Sequence, residues 1–219
     1  MRMAVPRLIA ALLMLAGAIQ TAEAHPHVFV EAKSELDFDG SGKLTGVQHA
    51  WRFDGPFSAF AVQGLDTNGD GNLSQDELRE LAQVNVESLK EYSNFTWLTR
   101  DGVQLPFGEA KDYWLDYSGG RLTLFFALPL MEPVAVDGTT VTVDVYDPEY
   151  FVAFEMVKDE PFGLVNAPPG CTIKVQLAGE LDPFTAAQLA TIPADQRKVP
   201  DSFLQAIDDL ANTALVACP

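Results

Sequence analysis

Cysteine is almost absent: the 219 residues contain two, Cys171 and Cys218, both in the last quarter of the chain. So few cysteines exclude a cysteine-based zinc motif. In an exported protein, an even pair most simply forms one disulfide. Positive charge is also scarce, with 14 Lys and Arg against 31 Asp and Glu and a net charge of −17. A surface this acidic repels nucleic acid and anionic lipid, so neither is an expected partner. There are three histidines. No H-E-x-x-H zinc motif and no G-x-S-x-G elbow occurs, which removes the metalloprotease and hydrolase signatures. Beyond residue 24 no stretch approaches transmembrane length without charge, and the chain has no internal repeat or low-complexity tract. The chain reads as a binding protein rather than an enzyme.

The one long apolar run lies at the start. Arg2 and Arg7 precede Leu8–Ile19, and Ala22-Glu23-Ala24 places small residues where a signal peptidase cuts. This is the secretory pattern. The run has about 12 residues, whereas a spanning helix needs roughly 20, so cleavage after Ala24 is expected rather than a membrane anchor. The segment carries two Arg and one Glu, so its loss takes the charge from −17 to −18. The remaining 195 residues suit one domain or two small ones.

From His27 the sequence alternates, with Val28, Val30 and Ala32 on one face and His27, Phe29 and Glu31 on the other. The turn signal Asp39-Gly40-Ser41-Gly42 joins this strand to a second over Leu44–Phe53, which makes a hairpin. Helical spacing follows in Pro56–Leu65 and Gln75–Tyr92. Asp76 and Glu77 suit the positive end of the second helix. Short β runs then recur at Phe95–Leu98, Tyr113–Tyr117, Leu122–Leu128, Val141–Tyr146, Phe151–Phe154 and Thr172–Leu177. The Ala-rich tail predicts a final helix, capped by Asp201 and ending near Ala217. The expected architecture is mainly β within the α+β class: a sandwich-like body of seven or eight strands, with a helix–loop–helix after the first hairpin and a C-terminal helix. The corresponding division is a signal peptide over 1–24, a β-rich domain over 25–180 that includes the helix–loop–helix 55–92, and a helical segment over 181–219.

Asp66 to Glu77 resembles a calcium-binding EF-hand loop. Such a loop places oxygen ligands at positions 1, 3, 5, 7, 9 and 12, with Gly at position 6 for the sharp turn. Those positions hold Asp66, Asn68, Asp70, Asn72 through its carbonyl, Ser74 directly or through water, and Glu77 as the bidentate carboxylate; position 6 is Gly71. Leu73 is apolar where the loop packs inward. Sensor EF-hands expose a Met-rich groove, yet the flanking helices contain no Met, which favours a structural calcium over a switch. A weaker echo begins at Asp37 but ends on Gln48, and it reads as a hairpin turn.

His25 and His27 become residues 1 and 3 after cleavage. An α-amine and two imidazoles on one strand face suit zinc, nickel or copper. Pro26 has no N–H, so a square-planar site through main-chain nitrogens cannot form. A hairpin centred near Gly40–Ser41 places Asp54 opposite His27 and Ala32 opposite His49. Asp54 is therefore the expected partner, and Asp147 or Glu149 could complete a second metal site.

The start HPHVFVEA, the segment HAWRFDGPFSAF leading into LDTNGDGNLSQDEL, and the later YDPEYFVAFE resemble a bacterial family of unknown function. That family is described as the periplasmic component of an uncharacterised ABC-type transport system, and its genes often neighbour nickel/cobalt exporters. The resemblance covers most of residues 25–157. It implies a periplasmic location, a role in metal or solute handling, and a membrane transporter as partner. Two other classes are a calcium-dependent interaction module and a copper enzyme with an N-terminal histidine brace. For the latter, His49 is the one spare histidine.

Overall fold

The computed structural model describes residues 26–193, 196 and 198–219. The signal segment and His25 therefore lie outside the described residues. Alternation governs the first hairpin. In β1 (Val28–Phe38) every even-numbered residue from Val28 to Phe38 is buried, and β2 (Leu44–Phe53) returns beside it with Leu44, Val47, Trp51 and Phe53 facing in. A short helix α1 (Gly55–Ala61) and a longer α2 (Gln75–Leu89) follow, and α2 runs into a 3-10 turn over Lys90–Phe95. The remaining strands are β3 (Thr96–Arg100), β4 (Val103–Gln104), β5 (Lys111–Ser118), β6 (Arg121–Val134), β7 (Thr140–Val145), β8 (Val152–Met156), β9 (Phe162–Val165) and β10 (Thr172–Gln176). Two short helices, α3 (Pro183–Leu189) and α4 (Leu204–Asp208), precede the last strand, β11 (Asn212–Ala217).

Among the described residues, eleven strands form two sheets. The first runs β5-β6-β2-β1-β8, with β9 also on β1, and the second runs β10-β11-β7-β3-β4. The result is an α+β, sandwich-like fold. Buried side chains from both sheets and from Leu78, Ala82 and Val86 of α2 share one core. Trp51 lies at its centre, edge-on to Phe126 and Phe154 at centroid distances of 4.8 and 4.9 Å. The excursion between β10 and β11 has a small core of its own, Leu189, Ile192, Val199 and Ile207.

The tail corrects one expectation. Asp201 caps nothing: α4 has no side-chain cap and ends at Asp208. Asn212–Ala217 is not helical but is the strand between β10 and β7. Alternate burial of Asn212, Ala214 and Val216 decides for the strand, because the core of the second sheet outweighs the helix preference of alanine. Cys171 and Cys218 form the disulfide that ties β10 to β11.

The hairpin register also differs. Phe38 faces Leu44, and beyond Thr45, the extra residue of a bulge, Asp37 faces Gly46 and Val30 faces Phe53. Glycine is required at Gly46, since a Cβ there would run into the Leu128 carbonyl of β6. The Asp37–Gln48 echo is indeed a turn. Asp39 Oδ1 accepts the Ser41 and Lys43 N–H groups at 2.8 and 3.0 Å.

Candidate functional site

The helix–loop–helix stands on the flank of the first sheet. Asp54 caps α1 by accepting the Phe57 N–H at 2.7 Å. Ser58 pins the helix to β6: its hydroxyl donates to the Asp54 carbonyl (2.6 Å) and accepts the Leu122 N–H (2.9 Å). Phe57 lies against Phe53. On the other side of the loop, α2 packs against β5 and buries Leu78, Ala82 and Val86. Both helices are thus fixed by the sandwich before the loop between them is considered.

Within the loop, carboxylates organise the main chain. Asp66 accepts the N–H groups of Gly69 (2.8 Å) and Asp70 (3.2 Å) on Oδ1 and of Gly71 (3.0 Å) on Oδ2. Gly71 sits at φ +82°, the left-handed region that glycine enters without a Cβ clash. Asn68 Oδ1 accepts the Asp70 N–H at 2.8 Å, and Asp70 Oδ1 accepts the Asn72 N–H at 2.7 Å. Glu77 closes the circle. Its Oε1 accepts from the N–H and hydroxyl of Thr67 and from the Asn68 N–H, and its Oε2 accepts from the N–H and hydroxyl of Ser74. Ser74 in turn caps α2, completing a capping box. The Ser74 N–H and hydroxyl, with Thr67 behind them, hold the Glu77 carboxyl down at about 2, so it remains an anion at neutral pH.

Among the described residues, no three His, Cys, Asp or Glu side chains converge on one point. The loop oxygens are turned instead to main-chain donors. The donor set still fits calcium, which takes six to eight oxygens. Asp66, Asn68, Asp70, the Asn72 carbonyl and both Glu77 oxygens supply the lower number, with Ser74 or water beyond it. Glu77, the last ligand position, already reaches back across the loop to Thr67 and Asn68, beside the first. A cation would replace N–H contacts by rotation of side chains within a loop whose chain path is set.

The second candidate group is not assembled in this way. Phe29, not His27, stands opposite Asp54: Asp54 N–H donates to the Phe29 carbonyl and Phe29 N–H to Asp54 Oδ2, at 2.9 and 2.8 Å. Both carboxylate oxygens of Asp54 are therefore engaged in strand closure and capping. Asp147 is buried and holds its own turn, accepting the Glu149, Phe151 and Val152 N–H groups at 2.9 Å each. Burial raises its pKa against those hydrogen bonds. His27 and Asp147 meet at Phe151, whose ring lies 4.6 Å from the imidazole and whose carbonyl accepts the His27 N–H at 2.8 Å. His25 lies outside the described residues.

His49 faces Ser34 rather than Ala32 and is buried in the core. The Thr96 hydroxyl donates to the Asn94 carbonyl, so His49 Nε2–H donates to Thr96 Oγ1 (3.2 Å) and Nδ1 accepts from Ser34 Oγ (2.9 Å). Desolvation lowers its pKa from 6.5 to about 3. It is a neutral core residue with both ring nitrogens engaged by hydroxyl groups. The alternation of β2 carried this signal, since His49 shares a face with Val47 and Trp51.

A cleft of about 780 Å³ opens beside β8, lined in part by Tyr146, Asp147, Tyr150 and Phe154. Among the described residues, no helix is long and apolar enough to cross a membrane. A family model described as "Protein of unknown function (DUF1007)" matches residues 10–218. The chain is also similar to an uncharacterized protein of Haemophilus influenzae, 21% identical over 180 residues, which is 82% of this chain and 85% of the relative.

Proposed function

The chain belongs to the DUF1007 family, and on that premise we propose that it is a periplasmic calcium-binding protein whose EF-hand loop acts as a structural clasp. The observation that carries this reading is the closure of the loop by Glu77 onto Thr67 and Asn68, around a glycine turn already held by Asp66. Structural rather than regulatory calcium is favoured because α2 already buries its apolar face in the core and neither flanking helix offers a methionine. Export is supported by the N-terminal signal pattern and by the Cys171–Cys218 disulfide. The role is binding, not catalysis. Calcium at a hundredfold excess over its Kd is expected to stabilise the chelator-stripped protein by about 2.7 kcal/mol. In thermal unfolding that is a rise of roughly 5–10 °C for a chain of this size. Asp66→Ala should remove the rise, and an equal rise in the variant would refute the site.

A second reading is a metal- or solute-handling component of a transport system with a membrane transporter as partner. It is favoured by the cleft, because the YDPEYFVAFE segment on which the family resemblance rests forms one of its walls. A transition metal (zinc, nickel or copper) would then bind at His25 and His27, without Asp54, whose oxygens are engaged. Titration of the processed protein with nickel should show binding that His25→Ala plus His27→Ala abolishes; undiminished binding would place the metal elsewhere.

A further inference from the structure

We propose that the outer edge of β8 is a slot for an extended peptide segment of a partner protein, which joins the first sheet as an added strand. β8 is parallel to β1, with Val30 beside Phe154. In a parallel ladder, alternate residues of a strand turn both main-chain groups to the same neighbour. The Phe151 carbonyl accepts from His27 N–H, and Val157 N–H donates to the Ala32 carbonyl, so odd-numbered residues serve β1. Val152, Phe154 and Met156 consequently face the other way, where among the described residues no further strand pairs with β8.

Two side chains imitate part of the missing neighbour. Asp147 accepts the Val152 N–H at 2.9 Å, and Asn212 Nδ2 donates to the Phe154 carbonyl at 3.1 Å. The other end of that amide, Oδ1, accepts the Ala178 N–H at 3.0 Å. One side-chain amide thus stands between β8 and the segment after β10, as a single peptide group of an intervening strand would. The N–H groups of Phe154 and Met156 and the carbonyls of Val152 and Met156 have no partner among the described residues. The cleft of about 780 Å³ runs along these groups. Its apolar lining includes Tyr150, Leu181 and Leu210, and two large apolar residues, Phe29 and Leu177, remain 56% and 48% exposed in it.

Donors and acceptors repeating every second residue along a strand match a ligand that presents peptide groups at the same spacing, which is the geometry of strand addition. Apolar walls suit alternate side chains of such a segment. The cleft lining carries four carboxylates, Glu31, Asp147, Glu155 and Glu180, against Arg121 and Lys158, which selects a segment carrying lysine or arginine. The proposed partner is therefore an extended, basic–apolar peptide stretch, and the slot is independent of the calcium loop.

The test uses the intact ¹⁵N-labelled protein and an eight-residue peptide of alternating valine and lysine, at up to about 1 mM. Amide exchange at Phe154 and Met156 is expected to slow by about tenfold or more, while Val157, already bonded to Ala32, stays unchanged. The same peptide with alternate nitrogens methylated should give no protection. Met156→Pro removes a donor that points away from β1, so it should fold and bind the peptide more weakly. Unchanged exchange at Phe154 and Met156, or equal protection by the methylated peptide, would overturn the proposal. If Met156→Pro fails to fold, the wild-type amides still decide.

Discussion

Below pH 6.5 the folded protein is expected to lose about 1.4 kcal/mol of stability per pH unit through His49 alone. The sign follows from the depressed pKa. Above 6.5 the imidazole is neutral in both states and contributes no pH dependence. Between 6.5 and about 3 the unfolded chain binds a proton that the folded one refuses, so unfolding is favoured. Below about 3 both states are protonated and the loss levels off near about 5 kcal/mol. The refusal is structural: the site offers Nδ1 a donor, the Ser34 hydroxyl, and the buried ring stacks 4.9 Å from Phe126. Urea unfolding between pH 6.5 and 5 isolates the effect, because unfolded carboxylates remain ionised there. Burial raises the pKa of Asp144 and Asp147, and these groups act in the opposite sense, gaining stability as pH falls. They are common to wild type and His49→Gln, so the difference between the two slopes belongs to His49. A slope unchanged by His49→Gln would contradict this assignment.

Replacing Cys171 and Cys218 together by serine should cost about 4 kcal/mol, the loop-closure entropy of residues separated by 47 positions. The bond continues the β10–β11 ladder beyond Thr172 and Ala217. Without it, β10 is an outer strand with exposed Thr172, Lys174 and Gln176 on one face and no covalent hold. Stability in denaturant should fall accordingly, and reduction of the wild type should match the double variant. An unchanged midpoint would show that the helical excursion between β10 and β11 orders this edge unaided. The two predictions concern separate places, the aromatic core and the sheet edge, so their effects should add.

Part of the fold is legible in the sequence, for physical reasons that differ by element. The first hairpin was visible because one face of β1 is buried along its whole length, which writes a strict two-residue alternation. The loop Asp66–Glu77 stands out in the sequence because calcium ligation would demand these residue types at this spacing. Its closure by Glu77 and the helix cap by Ser74 follow from the same residues. Register was not legible to the residue. Thr45 bulges out beside the close approach of Gly46 to β6, a contact made by a strand some eighty residues further on. The turn centred on Ser41 shifts the pairing by one residue and the bulge by another, so Asp54 meets Phe29 instead of His27. Pairing of β8 and β9 with β1 was likewise invisible, since parallel neighbours leave no turn signal between them. The β11 segment reads as helix because Ala211, Ala214 and Ala217 carry helix preference, whereas the buried row Asn212, Ala214 and Val216 is set by the core of the second sheet. Asn212, which bridges β7, β8 and the chain after β10, gave no local sign of its importance.

Direct titration tests the proposed calcium clasp at Asp66–Glu77. Isothermal titration of the chelator-stripped, processed protein should give one calcium per chain, with binding lost in Glu77→Gln, because the amide cannot supply two anionic oxygens at the twelfth position. The Cys171–Cys218 disulfide and the sandwich should be unaffected in that variant. Binding of equal affinity in Glu77→Gln, or no calcium binding by the wild type at millimolar concentrations, would contradict it.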